Sequence, residues 1–241
     1  MAEIIKKELY GGKIVIDFFP NSHIYKLNGE KLMSVTGILG CLNKPALVFW
    51  AANVVADYLK GRLDAGETIT AEMIEEARKE HTRKKQEAAS IGTQVHEWAE
   101  QYAKAPIELP TDEKVLNGVI GFLKWVKQHK VRFLASEQIV YSRKYNYVGI
   151  MDAEAVVDGK RRLIDFKTSN RLYDEYYLQV AAYRQAVEEE VGAYEENALI
   201  VRFDKETGAF ETRDCPNHKE DLQGFLNTLG VKQWQKKYAS V

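Results

Sequence analysis

The chain has 241 residues, 45% of them hydrophobic, and sets 34 Lys and Arg against 35 Asp and Glu for a net charge of −1. That length suits one generous domain with a core of its own. The near-neutral balance excludes a broadly basic nucleic-acid coat while leaving room for a local basic groove. Cys41 and Cys215 are far apart, which excludes a four-cysteine zinc or iron–sulfur site and gives no disulfide framework. No run approaches the roughly 18 apolar residues of a membrane span. The opening "MAEIIKKELYGGK" mixes acids with bases and has no signal-peptide core, so a soluble, intracellular protein is expected.

In chain order, "KIVIDFF" and "HIYKLNG" predict two short strands around Pro20-Asn21-Ser22. Ser34 or Thr36 can cap a short helix through Leu42. Pro45 suits the first turn of "PALVFWAANVVADYLK", apolar enough on several sides to predict a largely buried helix. Thr70 caps the helix that begins "AEMIEEARKE", and a second helix is predicted to start after Gly92. Residues 112–130 carry the stripe Val115, Val119, Phe122, Leu123, Val126 of another. Then the period changes: "VRFLASEQIVYS" is a strand, a hairpin follows, and "DEYYLQVAAYRQAVEEE" is helical. Strands "ENALIVRF" and "AFETRD" precede a helix over 217–238. The expectation is a single α/β domain with a mixed central sheet flanked by helices. Residues 1–130 should be mainly helical, and the core should lie in 131–241.

The hairpin, "YVGIMDAEAVVDGKRRLIDFKTSN", raises a chemical question. With Asp158-Gly159 as a two-residue turn, pairing outward sets Asp152 opposite Asp165, with Lys167 on the same face. Opposed carboxylates would lie about 5 Å apart and repel. Met151, Ala153, Ala155, Val157, Ile164 and Phe166 make the other face a core face. A divalent cation relieves such repulsion directly; a solvated face with a chance Asp–Lys pair is the alternative. Phosphodiester hydrolysis needs these parts, since acidic residues hold hard cations that activate water and neutralise phosphoryl charge. A lysine adds a point charge at the attacking water.

Four motifs in order carry a resemblance. "GIMDAEA…LIDFKTS" resembles the core of the PD-(D/E)XK nuclease superfamily, in its RecB-like exonuclease branch. "GTQVHEWAE" is similar to that branch's G-x-x-x-H element and "LQVAAY" to its Q-x-x-x-Y motif. "HIYKLNGEKLMSVTGIL" resembles a segment of mitochondrial genome maintenance and phage-type exonucleases. Ile150-Met151 stand where the superfamily name has a proline, and no helicase motif accompanies the set.

The resemblance implies a restriction-endonuclease-like core and a metal-dependent deoxyribonuclease. The substrate it implies is single-stranded DNA with a free end, in the cytoplasm of a bacterial or phage-infected cell. A non-catalytic DNA-binding protein keeping the same fold is the alternative. By the resemblance Asp152, Asp165, His96 and the Phe166 carbonyl hold one or two Mg²⁺ or Mn²⁺ ions, with no iron–sulfur cluster. Lys167 assists the attacking water. Glu137 resembles the acidic residue that precedes the metal strands, an outer-shell partner of the metal or its water, and Glu100 lies one turn beyond His96 to orient it. Gln179 would position Lys167 or its strand, and Tyr183 would touch the substrate. A core histidine, a buried amide and a packed tyrosine are the plainer readings of His96, Gln179 and Tyr183.

Arg143, Lys144, Lys160, Arg161, Arg162 and Arg171 gather near the motif in sequence, and Arg78, Lys79, Arg83, Lys84 and Lys85 form a second group. Each is a candidate for DNA backbone contact or simply a solvated face. Tyr145 and Tyr147 are the candidates for stacking bases, whereas Trp50, Trp98 and Trp125 read as core.

Overall fold

A computed structural model describes residues 4–238. They divide into two compact units: one joins the chain up to Cys41 with everything from Val95 onward, and the other is Leu42–Gln94. Among the described residues no helix is long and apolar enough to cross a membrane.

The first unit opens with an antiparallel sheet of β1 (Ile5–Leu9), β2 (Ile14–Phe19), β3 (Ile24–Leu27) and β4 (Glu30–Lys31). Alternation along β2 points Ile16 and Phe18 inward, and with Leu9, Tyr25 and Leu32 they join Ile139, Tyr141 and Val148 in one buried cluster. Asn28 and Gly29 both take positive φ, 52° and 83°, the two-residue turn that brings β4 back on β3. Strand β1 is not among the expected elements, because Lys6 and Lys7 hide its alternation. The helical stretch expected for the first half therefore begins only after β5 (Met33–Ser34), with α1 (Val35–Leu39). Ser34 supplies its cap, accepting from the Gly37 amide at 3.1 Å.

The remaining elements of this unit are α4 (Glu113–Gln128), β6 (Arg132–Ser142), β7 (Tyr147–Val157), β8 (Lys160–Lys167), α5 (Glu175–Val191), β9 (Ala198–Phe203), β10 (Phe210–Cys215) and α6 (His218–Tyr238). Asp112 caps α4 by accepting from Val115 N at 3.0 Å. The helix turns Val115, Val119, Phe122 and Trp125 inward. The strands form a six-stranded mixed sheet in the order β10-β9-β8-β7-β5, with β6 also on β7. Pairs β5–β7 and β8–β9 are parallel and the others antiparallel. The fold is α/β, a mixed sheet flanked by helices, as expected.

One edge of β7 is shared. Strand β8 pairs with its C-terminal half from Ala153, whereas β5 pairs with Tyr147 and Val148 at its start. Between them the edge forks, and the tyrosine ring of α5 fills part of the gap. A Cβ at Gly149 would lie 2.5 Å from Tyr183 Cε1 and 3.2 Å from Val35 Cγ2. Tyr183 is only 3% exposed and has nowhere to swing. Gly149→Ala is therefore expected to destabilise the fold by about 1–3 kcal/mol, as overpacking does. A urea melt checks this; an unchanged midpoint would mean that the ring yields at little cost.

Two expectations for the helices are corrected. Helix α3 (Ala71–Lys104) runs unbroken through Gly92. One helical glycine costs about 1 kcal/mol, too little to end a helix whose polar stretch is made of good helix formers and pairs Arg78 with Glu75 and Arg83 with Glu80. Thr70 does cap it, accepting from Met73 N at 3.3 Å. In the second unit, α2 (Pro45–Asp64) buries only Val54. Leu47, Val48 and Phe49 are 48%, 69% and 71% exposed, and Trp50 is 36% exposed rather than core. That unit holds only α2 and the first two-thirds of α3, and a pair of helices covers only the stripes that face each other.

Candidate metal centre

The β7–β8 turn sets the register. Asp158 and Gly159 adopt φ of 49° and 82°, and pairing runs from Val157↔Lys160 to Ala153↔Ile164 as the two-residue turn requires. The next pair would oppose Asp152 to Asp165, but the ladder ends there. Phe166 N donates instead to the Asp152 carboxylate, to Oδ2 at 2.6 Å. A side chain has replaced the backbone acceptor where the edge forks.

On the other edge of β7, Glu137 falls between the pairs Ser136↔Ala153 and Gln138↔Met151, the place opposite Asp152. Its φ is +49°, left-handed for a residue with a Cβ, a conformation that costs about 1–2 kcal/mol. Helix α3 supplies His96, whose Nδ1 lies 3.6 Å from Asp152 Oδ1. One ligand atom from each of His96, Glu137 and Asp152 lies within 4.8 Å of the others. An imidazole and two carboxylates form a donor set suited to a divalent ion.

Asp165 faces a different partner. It is fully buried on β8, and Lys167 Nζ stands 2.5 Å from its Oδ2. Apart from that ammonium its oxygens have no hydrogen-bond partner among the described residues. The structure thus brings Glu137 to His96 and Asp152, and places Asp165 beside the triad, neutralised by Lys167, rather than within it. Phe166, the expected carbonyl donor, lies at the same junction.

The electrostatics follow from burial. Burial pushes the Glu137 carboxyl up to about 7, with the Asp152 charge adding and His96 opposing. Burial likewise pushes Asp165 up to about 6 against the pull of Lys167. For Asp152 burial is outweighed by His96, Lys167 and the Phe166 amide, which hold it below its ordinary value. His96 is raised because Asp152 overcomes its own burial. Lys167 is raised in the same way by Asp165 and Asp152. Two acids that resist ionisation beside one that does not describe a site short of positive charge.

Helix α5 contributes differently from expectation. Gln179 Nε2 donates to Tyr183 Oη at 2.9 Å, within the helix itself. Tyr183 is buried against Gly149, which removes it from substrate contact; its ring fills the fork instead. The residue that meets Lys167 is Tyr176, whose ring centroid is 4.8 Å from Nζ. Tyr176, Gln179 and Tyr183 share one helix face at i, i+3 and i+7, a spacing visible in the sequence. Glu100 pairs with Lys104 at 2.5 Å rather than orienting His96.

The DNA-contact candidates scatter. Arg143 and Lys144 are exposed in the β6–β7 turn, over the Tyr10 and Tyr145 rings at 5.2 and 5.0 Å. Asp152 lies five residues beyond Tyr147, about 17 Å along the strand. Tyr147 is corrected: it is fully buried, its hydroxyl donates to Ala182 O at 2.8 Å, and it cannot stack bases. As the first residue of β7 it takes the inward side of the pleat. Tyr145 is half-buried and stacks on Tyr147 at 6.4 Å. Arg171 is exposed over the Tyr173 ring at 4.9 Å. Lys160 pairs with Glu196, Arg161 with Glu154 and Arg162 with Asp214.

A scan of protein-family models and a search of curated proteins return no match for the chain.

Proposed function

We propose that the chain is a divalent-metal-dependent deoxyribonuclease of the RecB-like PD-(D/E)XK type, with a restriction-endonuclease-like core, acting on the ends of single-stranded DNA. The observation that carries the reading is the convergence of His96, Glu137 and Asp152 within 4.8 Å beside the buried Asp165–Lys167 pair. The residues fit a hard or borderline cation. All three donors are nitrogen or carboxylate oxygen, and the raised Glu137 and Asp165 carboxyls ask for more positive charge than the chain supplies.

In this reading His96, Glu137 and Asp152 hold the ion, Mn²⁺ or Mg²⁺, with Asp165 and the Phe166 carbonyl at its margin. Bound there, a divalent cation supplies a water of lowered pKa and a Lewis acid for the phosphoryl oxygen. Asp165 fixes the Lys167 ammonium from one side, and the Tyr176 ring confines it from another. Lys167 then directs one N–H to the attacking water or to the charge growing on the phosphoryl group. The Phe166 amide holds Asp152 in place, so the carboxylate does not reorient as charge develops.

The substrate form follows from charge. Lys160, Arg161 and Arg162, nearest the metal strands in sequence, are taken by acids of the chain itself. That leaves less charge to grip a duplex backbone, and duplex binding should be weak and steeply salt-dependent. With Mn²⁺ present, linear single-stranded DNA is expected to be degraded from its ends. Closed circular single strands of the same sequence should persist, and EDTA should abolish all cleavage. End-labelled and circular substrates on a gel decide it. No cleavage of any DNA with metal would sink the nuclease reading; equal rates on circle and line would leave an endonuclease.

A further inference from the structure

The loop that joins β8 to α5 begins at Lys167 and is held at several points. Arg202, paired with Lys167 in the β8–β9 register, donates from Nη1 to Ser169 O and Asn170 O at 3.3 and 3.4 Å. Ser169 Oγ donates to Arg171 O at 2.7 Å, and Tyr176 N donates to Tyr173 O at 3.0 Å as α5 begins. These bonds fix the backbone of the loop.

A row of cations and rings runs outward along it. Lys167 Nζ lies 4.8 Å from the Tyr176 ring centroid, and Tyr176 meets Tyr173 edge to face at 5.7 Å. The Arg171 guanidinium lies over the Tyr173 ring at 4.9 Å. Both tyrosines are half-buried, and Arg171 is exposed. The two ends of the row differ in what they meet. Lys167 is neutralised by Asp165. Arg171 meets no acid among the described residues, whereas Arg161, Arg162, Arg184, Arg202 and Arg213 all do. A ring against a guanidinium restricts its motion but takes none of its in-plane N–H donors. Asp174 and Glu175 follow in the chain, so the loop is no general anion trap. What it offers is one oriented fork of donors, the geometry that matches two oxygens of a phosphate.

The row ties that fork to the metal centre. Through the two rings it stands close to the Lys167 ammonium, at a reach that a single strand covers in a few nucleotides. We infer that Arg171 grips a phosphate neighbouring the scissile one and so sets the register of the strand on the metal centre, with Tyr173 holding the guanidinium in place. The inference rests on the nuclease reading and names a substrate contact within it.

The test compares wild type, Arg171→Ala and Arg171→Lys on substrates that do and do not carry a second phosphate. With Mn²⁺, Arg171→Ala should lower kcat/KM on an oligothymidylate by about tenfold or more, the effect of losing a hydrogen bond to a charged group. On a small diester with a single phosphate it should equal wild type. Arg171→Lys, a point charge without the fork, should fall between. A neutral methylphosphonate is then moved along the oligothymidylate one linkage at a time. Wild type should be slowed at one linkage beside the scissile one, and Arg171→Ala should be indifferent there. In EDTA, the salt slope of oligothymidylate binding should be shallower in Arg171→Ala by about 0.7, the share of one phosphate contact. Unchanged oligonucleotide kinetics in Arg171→Ala overturn the inference, as does a methylphosphonate series to which both proteins respond alike. So does an equal loss on the single-phosphate diester, which would put Arg171 in support of Lys167 and not on the strand. A protein that cleaves no diester with metal, yet whose salt slope falls in Arg171→Ala, would keep the strand contact and remove the nuclease reading. No cleavage and an unchanged slope would remove both.

Discussion

Asp165→Ala and Lys167→Ala are each expected to lower DNA cleavage by about a hundred- to a thousandfold, the usual effect of deleting a group aimed at developing charge. Oligonucleotide binding in EDTA should change little. The two side chains form a unit: Lys167 Nζ touches Asp165 at 2.5 Å, and among the described residues the carboxylate has no other hydrogen-bond partner. Removing one member strands the other's charge in a buried setting, which costs about 3–5 kcal/mol, so the alanine variants are compared fairly only alongside Asp165→Asn. That variant keeps the volume and a hydrogen-bond acceptor but not the charge, and should fold while losing activity to the same degree. Circular dichroism checks the fold and a gel assay the cleavage. Near-wild-type cleavage by a folded Asp165→Asn or Lys167→Ala protein would place the chemistry elsewhere.

The second large effect concerns stability. Without divalent metal the protein should melt at lower temperature as pH rises from about 5 to about 8, and Mn²⁺ should raise the midpoint more at the upper end. Glu137 and Asp165 have folded values of about 7 and 6 against ordinary values of 4.5 and 3.8. The folded state binds those protons more tightly, so the stability they contribute is present at low pH and is lost as each carboxyl ionises. His96, also raised, loses its contribution in the same direction as pH climbs through its folded value. Asp152 is lowered, and its contribution disappears only in acid below its ordinary 3.8, outside this window. All the groups of the centre that titrate here therefore act with one sign. A net loss of about 2 kcal/mol corresponds to about 4–8 °C for a chain of this length. Scanning fluorimetry across pH, with and without Mn²⁺, reads it, and His96→Ala should shrink the metal-induced rise. A melting temperature indifferent to both pH and Mn²⁺ would dismantle the triad as a cation site.

Much of this centre is legible in the sequence because the hairpin turn fixes register unaided. Asp158-Gly159 can adopt only a narrow set of turns, and every residue outward from it is then assigned a partner and a face. What fails is the last step, from backbone pairing to side-chain company. The ladder stops at Asp152 because β5 and β8 share one edge of β7, and no local pattern announces such a fork. Glu137 is legible as an outer-shell partner of the metal, but not as the triad's third member, since its left-handed backbone sits where the pairing of β6 with β7 skips a residue. Tyr147 is misplaced because the turn beside it is basic and exposed, while its own side chain already belongs to the pleat. The burial of α2 is overestimated for a different reason. Apolar composition states what a helix would bury given neighbours, not how many neighbours its unit supplies.

The sharing of one buried cluster between the first strands and a later hairpin has a consequence for how the protein is made. Leu9, Ile16, Phe18, Tyr25 and Leu32 leave the ribosome early, but Ile139, Tyr141 and Val148, which close their cluster, are translated about a hundred residues later. At about 5–20 residues per second that delay is on the order of 5–20 s. Throughout it the nascent β1–β4 sheet holds an apolar face open to the cell, a natural station for a holdase chaperone and an opening for aggregation. The yield of folded protein should accordingly respond to the speed of translation between α1 and β6, a stretch whose own residues take no part in that cluster.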